Sequence, residues 1–390
     1  MVTFMEQIKL LTYADLHIGA PIIDNWDVLR KIVDIAIEHK VTHIASLGDD
    51  FDKEITTTTQ REYFATQVKR ALDAGIHYGI IPGNHSRRAE MQCYKTGAEV
   101  WSKPGWYLWH GLHVGALPHM KYNSLFEEKI DYKDEKKTEN ETIIKTLKSM
   151  LKDEPTGPAI VIGHGVIDGA MLDNNMIPRA NGVIFPRALL AKFNCPVRFG
   201  HYHLAQMITD RVDYIGSLDN EVMHHNRRGS NVEYVGSPAP VNIGERDTIK
   251  GVQIHTFENG QHTYEFVAIE TPKIYTYTST WEDGHWFPDP LFGKTPDFYK
   301  DAIVRVTYKA SAVNASQVNL QFVEELNKFT LIPTILVGDV ESAVVARAPE
   351  LKEPMSCHGA VEVYWAKQGI PEEQQAAAIV LRDKILEATL

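Results

Sequence analysis

Five short segments of the chain place residue types that bind metal ions directly after runs of apolar residues. Their carboxylate, imidazole and amide groups are ligands that suit Mn or Zn. A two-metal site built from such groups holds its cations about 3.5–4 Å apart, binds a phosphoryl group between them and activates water for attack. The segments are Asp15-Leu16-His17, Gly48-Asp49-Asp50-Phe51-Asp52, Gly83-Asn84-His85, Gly163-His164-Gly165 and Gly200-His201-Tyr202-His203.

Each segment follows a run whose composition predicts a buried β-strand. In an open α/β sheet, ligands bind at the carboxyl ends of the strands. The five segments are therefore expected to meet at one rim. The predicted strands cover residues 8–12, 43–47, 77–81, 159–162 and 197–199.

The donors divide into two sets around a shared carboxylate. Asp49 is the expected bridge between the ions, because Gly48 lets the chain turn sharply off its strand. Strand alternation predicts that Asp50 points to the opposite face, and Asp52 is expected beside a ligand or at a helix start. One ion is expected on Asp15, His17 and His203, and the other on Asn84, His164 and His201.

His85 follows the ligand Asn84 and is expected to donate a proton to the leaving oxygen rather than to bind metal. A histidine with a reference pKa near 6.5 suits that role. A purely structural hydrogen bond is the competing interpretation. For the motif set as a whole, the rival interpretation is a group of core histidines satisfied by the backbone, which explains poorly why polar residues cluster at strand ends.

Composition limits the class of protein. A chain of 390 residues predicts two or three domains, and 44% hydrophobic with 23% charged residues is ordinary for a globular protein. The net charge of -11 means that bound cations, a local basic patch or a partner must offset it if the protein acts on nucleic acid. Three widely spaced cysteines favour idle thiols in a reducing compartment.

The absence of a signal peptide and of an apolar run of about 20 residues predicts a cytoplasmic protein, in the host cytoplasm if the gene is carried by a phage. Residues 1–270 alternate strand-like and helical stretches, with helices expected at 26–39 and 61–74. The charged stretch 127–156 is expected to be solvated surface with a helix near 141–151.

A second domain is predicted at residues 271–350, with a strand at 303–308, a helix at 316–328 and a strand at 334–337. A C-terminal segment, 351–390, contains a predicted helix at 371–389. The apolar stripe of that helix needs a partner surface, either in this chain or in another one.

The motif series resembles the calcineurin-like metallophosphoesterase superfamily and, within it, the SbcD-type DNA repair nucleases. The narrower resemblance rests on Gly-Asp-x-Phe-Asp in the second segment, on the small β-α-β module, and on the stretch that closes the first domain. That stretch reads Tyr234-Val235-Gly236-Ser237-Pro238, then Gly244-Glu245, then Lys250-Gly251-Val252.

The resemblance implies an α/β fold, a four-layer helix-sheet-sheet-helix sandwich with a small α+β capping domain. It also implies a Mn-dependent 3′ to 5′ exonuclease on duplex DNA that acts as an endonuclease on single strands and hairpins. The implied partners are DNA, a second copy in a homodimer, and an SbcC-type ABC ATPase with long coiled coils, for which the last helix is one candidate docking element.

The family's metal ligands match seven residues of this chain, and its catalytic histidine matches His85. Ser86 stands where the family usually has aspartate, so the orientation of His85 would depend on another group. None of the departures from the family pattern removes a ligand. The matching ligands are Asp15, His17, Asp49, Asn84, His164, His201 and His203.

Three other functions fit parts of the pattern. Another phosphodiesterase of the superfamily, acting on a nucleotide or small molecule, would suit the acidic charge at least as well as DNA does. A phosphoprotein phosphatase is disfavoured, since Phe51-Asp52-Lys53 replaces the Asp-Arg-Gly expected there. A scaffold without activity is disfavoured because every ligand is present.

Overall fold

The computed structural model describes residues 7–20, 26–85, 97–119, 132–170, 183–208, 213–214, 231–289, 291, 293–311 and 318–341. The chain divides into two compact units. The first is Met1–Tyr275 with Asp301–Ile303, and the second is Thr276–Lys300 with Val304–Leu390. The predictions made for Ser86 and for the segment 351–390 lie outside the described residues.

The first unit contains fifteen strands and four α-helices among its described residues. The helices are α1 (Trp26–Glu38), α2 (Thr58–Asp73), α3 (Tyr132–Lys152) and α4 (Arg187–Leu190). The strands are β1 (Ile8–Tyr13), β2 (His43–Ser46), β3 (His77–Ile80), β4 (Glu99–Val100), β5 (Gly105–Trp109), β6 (Leu112–Leu117), β7 (Ala159–His164), β8 (Val166–Ile167), β9 (Ile184–Phe185), β10 (Val197–Gly200), β11 (Gln206–Met207), β12 (Asp213–Tyr214), β13 (Val232–Tyr234), β14 (Gly251–Glu258) and β15 (Gln261–Ala268).

Two large sheets carry the predicted strands. The first has the order β15-β14-β1-β2-β3-β4, and the second has the order β12-β11-β13-β10-β7-β6-β5. β1, β2 and β3 run parallel, with Leu11 opposite Ile44 in the register of β1 and β2. β6, β7 and β10 also run parallel. All five strands predicted to precede the metal-binding segments are confirmed, to within one or two residues at each end.

Alternation along the strands separates three hydrophobic clusters and so defines four layers. Leu11 of β1 packs in a cluster with the apolar faces of α1 and α2, while Leu10 points into a cluster shared by both sheets. In the second sheet, Ile160 faces the first sheet and Val161 faces α3 and α4. The order helix, sheet, sheet, helix follows, and the predicted fold class is confirmed.

The helix boundaries show what local chemistry adds to periodicity. α2 begins three residues earlier than predicted because Thr57 and Gln60 form a capping box. α3 is about twice as long as predicted, and the charged segment is more than solvated surface. Its residues Ile143, Leu147 and Met150 are buried against the second sheet.

The second unit contains a four-stranded sheet with the order β17-β16-β18-β19. Its strands β18 and β19 are parallel and are connected through α5, which is the predicted β-α-β arrangement. None of the helices in the described part of the chain has the length and apolar character needed to span a bilayer. The elements are β16 (Ile274–Glu282), β17 (His285–Phe287), β18 (Ile303–Ser311), α5 (Gln321–Leu326) and β19 (Ile335–Glu341).

Candidate metal centre

The loops that follow β1 and β2 are joined by main-chain hydrogen bonds. Asp15 N–H donates to the carbonyl of Gly48 at 3.0 Å, and His17 N–H donates to the carbonyl of Asp49 at 3.0 Å. These bonds extend the parallel pairing of the strands into the loops. They bring the side chains of the first segment next to that of Asp49.

Four of the predicted ligands have a backbone conformation that L-residues seldom adopt. Their φ angles are 54° for Asp15, 50° for His17, 56° for Asp49 and 102° for His201. A non-glycine residue in this left-handed region costs of order 1 kcal/mol or more and persists where the surrounding structure enforces it. Such residues concentrate at functional sites, which supports the functional interpretation of this rim.

A first donor group consists of Asp15, His17 and His203, whose ligand atoms lie within 4.8 Å of one another. His17 is buried, and neither of its ring nitrogens has a hydrogen-bond partner among the described residues. Its Nδ1 lies 3.4 Å from Oδ1 of Asp52. Because buried polar atoms are normally satisfied, a cation between these three side chains fits the donor set that the structure provides.

A second donor group consists of Asp49, His164 and His201, whose ligand atoms also lie within 4.8 Å of one another. Asn84 belongs with this group, because its Oδ1 lies 3.0 Å from Nε2 of His164 and 2.8 Å from Nδ1 of His201. Nδ1 of His164 lies 2.7 Å from the carbonyl oxygen of Leu47 and must donate to it. That bond directs Nε2 of His164 toward the centre of the group.

Burial and neighbouring charges act against each other on the pKa values in the second donor group. Burial acts to lower the pKa of His164, but the carboxylate of Asp49 outweighs it and raises the pKa to about 9. Burial, together with neighbouring His164, lowers the pKa of His201 to about 3. Burial acts to raise the pKa of Asp49, and His164 more than offsets that effect and lowers it. The carboxylate thus attracts positive charge to the position where a cation would sit.

His85 lies beside both donor groups but belongs to neither of them. Its main-chain N–H donates to Oδ1 of Asp49 at 2.9 Å, and its Nε2 lies 4.0 Å from Oδ2 of the same carboxylate. Nδ1 of His85 donates to the main-chain carbonyl of Asp52. The carbonyl of Asp52 therefore orients the ring of His85, a role that the resemblance would give to an aspartate at position 86.

The carboxylate of Asp50 contacts Tyr13 and Ser46 and belongs to neither donor group, in agreement with the prediction that it points away from the metal ligands. Its Oδ1 accepts hydrogen bonds from Tyr13 Oη at 2.8 Å and from Ser46 Oγ at 2.9 Å. Tyr13 in turn contacts Tyr78, with 2.6 Å between the two hydroxyl oxygens. Burial raises the pKa of Asp50 to about 6. This network anchors the chain just after Asp49.

Two glycines allow the loops to approach one another. A Cβ atom at Gly83 would overlap the carboxylate and the main-chain nitrogen of Asp49. At Gly48, where φ is +96°, a Cβ atom would lie 2.6 Å from Nδ1 of His164. Both positions therefore require glycine, for space in the first case and for space and conformation in the second.

Glu245 is a residue of this centre that sequence reasoning missed. It is fully buried, and its Oε1 lies 2.8 Å from Nδ1 of His203. Burial acts to raise the pKa of Glu245, but His203 and Lys250 outweigh it and lower the pKa to about 2. The sequence signal for Glu245 is its position in the segment Gly244-Glu245, which resembles the family, although the resemblance alone gives it no role.

The fold and the two donor groups are those of a metal-dependent phosphoesterase. The model of the calcineurin-like phosphoesterase family matches residues 8–205, and the chain belongs to that family. The match includes every predicted ligand and His85.

Among curated proteins, this chain is similar to the DNA double-strand break repair protein Mre11 of Saccharolobus solfataricus, with 28% identity over 130 residues. The aligned part is 29% of this chain and 34% of the archaeal protein, so the match spans about a third of that relative's length.

Two solved structures are also similar. One is a dimetal phosphatase from Danio rerio, at 10% identity and a TM-score of 0.41, which covers 67% of this chain and 97% of that one. The other is GAP50, the anchor in the inner membrane complex of Plasmodium, at 13% identity and a TM-score of 0.37, which covers 67% of this chain and 84% of that one.

Proposed function

We propose that this protein is a Mn-dependent DNA nuclease, the nuclease subunit of an SbcCD-type repair and recombination complex. The observation that carries the proposal is the pair of donor groups, one completed by Asn84, with His85 beside them. The part of the proposal that concerns DNA is supported by the similarity to Mre11 and by the motifs that resemble SbcD-type nucleases.

The two donor groups would each hold one divalent ion. Asp15, His17 and His203 would bind the first, and Asn84, His164 and His201 the second, with Asp49 as the proposed shared ligand. When bound, such a pair supplies Lewis acidity and an activated water for in-line attack on a phosphodiester. The chain's own contribution is to hold seven donors at fixed positions before substrate arrives.

His85 is proposed to transfer a proton to the leaving oxygen as the phosphorus–oxygen ester bond breaks. Its Nδ1 is committed to the carbonyl of Asp52, so Nε2 is the atom available to substrate. About a third of the side chain is exposed, so a substrate can reach it. A positioned histidine of this kind contributes typically 10²–10⁴-fold to the rate.

The resemblance supports two further parts of the proposal, the activities and the assembly. The activities would be 3′ to 5′ digestion of duplex ends and endonuclease cleavage of single strands and hairpins. The assembly would be a homodimer with an ABC-type ATPase. The net charge of -11 favours such a partner, because a chain with this charge lacks the overall basic character that binds the DNA backbone.

A second candidate function is a phosphodiesterase that acts on a nucleotide or another small molecule. The same net charge favours it, since a small substrate needs only the metal centre and not an extended basic surface. Both functions use the same donor groups, so the substrate distinguishes them.

The deciding experiment is an assay of the purified chain, with and without Mn, on 3′-labelled and 5′-labelled duplex, single-stranded and hairpin DNA. Bis-p-nitrophenyl phosphate and cyclic and linear dinucleotides serve as small substrates. Mn-dependent cleavage of the DNA substrates supports the nuclease. Turnover of dinucleotides with no cleavage of any DNA would replace the nuclease by the small-molecule enzyme. Inactivity on every phosphodiester with Mn bound would reject both.

The partner is tested by duplex binding as a function of salt. We expect weak binding by the isolated chain and strong binding once the ATPase is added, because the ATPase would supply the phosphate contacts. Tight, salt-sensitive binding of duplex DNA by the chain alone would contradict the proposal that the ATPase supplies the phosphate contacts.

A further inference from the structure

The buried carboxylate of Glu245 forms a hydrogen bond with His203, a predicted ligand of the first donor group. Glu245 ends a short 3₁₀ helix, Ile243–Glu245, and is fully buried. His203, which it contacts, lies in the loop after β10 on the second sheet. The contact joins residues that are 42 positions apart in sequence.

Among the described residues, the polar groups that bind the Glu245 carboxylate are all hydrogen-bond donors. Oε1 accepts from His203 Nδ1 at 2.8 Å and from Asn242 Nδ2 at 2.5 Å. Oε2 accepts from Lys250 Nζ at 2.6 Å, from Ser237 Oγ at 3.2 Å and from the main-chain N–H of Val241 at 3.2 Å. An ionised carboxylate can only accept.

This arrangement assigns the proton on the imidazole. Because the carboxylate accepts, Nδ1 of His203 must carry hydrogen and donate it. In the neutral ring Nε2 is then the unprotonated nitrogen, with its lone pair available to a metal ion. A hydrogen bond from the second ring nitrogen to a carboxylate is the usual way in which a metal-binding histidine is oriented.

Lys250 secures the carboxylate from the other side. Its ammonium group is buried and donates to three acceptors, Oε2 of Glu245 at 2.6 Å, Oγ of Ser237 at 2.9 Å and the carbonyl oxygen of His203 at 3.0 Å. The three N–H bonds of the ammonium match three acceptors, so this buried ion pair is fully satisfied. Lys250 thereby holds the main chain of His203 while Glu245 holds its side chain.

We propose that Glu245 is a positioning residue for the metal centre, which with Lys250 fixes His203 as an Nε2 ligand of one ion. This inference deepens the proposed function and rests on it. It also gives a role to the sequence elements Ser237, Gly244-Glu245 and Lys250, which the resemblance singled out without explaining them.

The test compares Mn binding by three full-length proteins after removal of metal. Wild-type protein is expected to bind two ions. In Glu245→Gln the amide places a donor against the donors that surround it, and we expect one ion to bind about 10- to 100-fold more weakly while the other is retained. Glu233→Gln is the matched control. Glu233 is another buried carboxylate beside a buried cation, Arg198, at 3.6 Å.

Mn binding by the three proteins separates a positioning role of Glu245 from general destabilisation and from failure of the proposed function. Two ions bound with wild-type affinity in Glu245→Gln would overturn the positioning role while leaving the metal centre intact. An equal loss in Glu233→Gln would also overturn it, because the effect would then be general destabilisation. A wild-type protein that binds no pair of ions would reject the proposed function itself.

A measurement on wild-type protein keeps the inference testable if Glu245→Gln does not fold. Long-range ¹H–¹⁵N spectra of the metal-free protein, at a pH where the ring is neutral, report which nitrogen of His203 carries the proton. The signals are assigned by their absence from the spectrum of His203→Gln. We expect the Nδ1–H tautomer, and an Nε2–H tautomer would overturn the proposal.

Discussion

The main-chain N–H of His201 donates to both carboxylate oxygens of Asp15, at 3.0 Å and 2.8 Å. Asp15 follows β1 of the first sheet, and His201 follows β10 of the second. The two residues belong to different donor groups. This pair of hydrogen bonds therefore connects the two sheets and also the two predicted ion sites.

This link predicts different results for two ligands of the same group. Asp15→Ala removes a metal ligand of the first group and also the hydrogen bonds that hold the main chain of His201, so binding of both Mn ions should weaken. His17→Ala removes a donor with no such contact, so only one ion should weaken. Each loss should exceed the roughly 10- to 100-fold that removal of a ligand's hydrogen-bond partner costs. Calorimetric Mn titration measures both, and identical binding profiles for the two variants would contradict the coupling.

His85→Ala should retain both Mn ions but lose about 10²–10⁴-fold in kcat on DNA, because the residue supplies a proton and not a ligand. The loss should be much smaller on bis-p-nitrophenyl phosphate, whose leaving group departs readily without a proton. Metal analysis and parallel kinetics on the two substrates provide the check. Loss of an ion in this variant would show instead that His85 coordinates metal.

Gly83→Ala should abolish or severely weaken Mn binding, because the new methyl group would overlap Asp49 and displace its carboxylate. Gly260→Ala is the control. Gly260 has φ of +74° in the turn between β14 and β15, with no atom near its Cβ position. That variant should lose about 1–2 kcal/mol of stability and keep its metals. Normal Mn binding by Gly83→Ala would mean that Asp49 is not a required ligand.

A cluster of histidines at the amino ends of β2 and β3 predicts a pH dependence of stability. His43 is buried, and the rings of His77 and His110 stack with their centroids 3.5 Å apart. Burial, with a further contribution from His77, lowers the pKa of His43 to about 4, while main-chain groups of Trp109 and His110 partly offset the shift.

Because the folded pKa of His43 lies below the unfolded value of 6.5, the unfolded chain takes up its proton first as the pH falls. The contribution of His43 is complete above pH 6.5, declines between pH 6.5 and about 4, and amounts to about 3 kcal/mol. Urea unfolding of wild type and His43→Gln is measured across this pH range. The difference between the two free energies of unfolding isolates the contribution of His43, because the other histidines titrate in both proteins. Parallel curves would show that His43 contributes no pH dependence.

The sequence predicted that these side chains meet at one rim because two simple regularities coincide there. Apolar runs such as residues 43–47 have few alternatives to a buried strand, and parallel strands deliver the residues that follow them to one end. These regularities predicted His164 and Asn84 at the ends of their strands. In the structure, Nε2 of His164 lies 3.0 Å from Oδ1 of Asn84. The bridging role assigned to Asp49 stays a prediction.

The supporting contacts could not be predicted in the same way. The carbonyl groups of Leu47 and Asp52 orient His164 and His85, but every residue has a carbonyl, so the sequence contains no mark of which one is used. Glu245 reaches its histidine from a 3₁₀ helix that has no periodic signature. Similarly, the capping box moved the start of α2, because side-chain hydrogen bonds to the backbone override the apolar period.

The donors come from both halves of the sandwich, with Asp15, Asp49 and Asn84 on one sheet and His164 and His203 on the other. A ribosome that has released only the first hundred residues has therefore produced a chain unable to retain its ions. Ion binding by both donor groups also requires the second sheet, and Glu245 follows the last predicted ligand, His203, by 42 residues. The order of synthesis therefore delays assembly of the complete metal centre until both sheets and Glu245 are present.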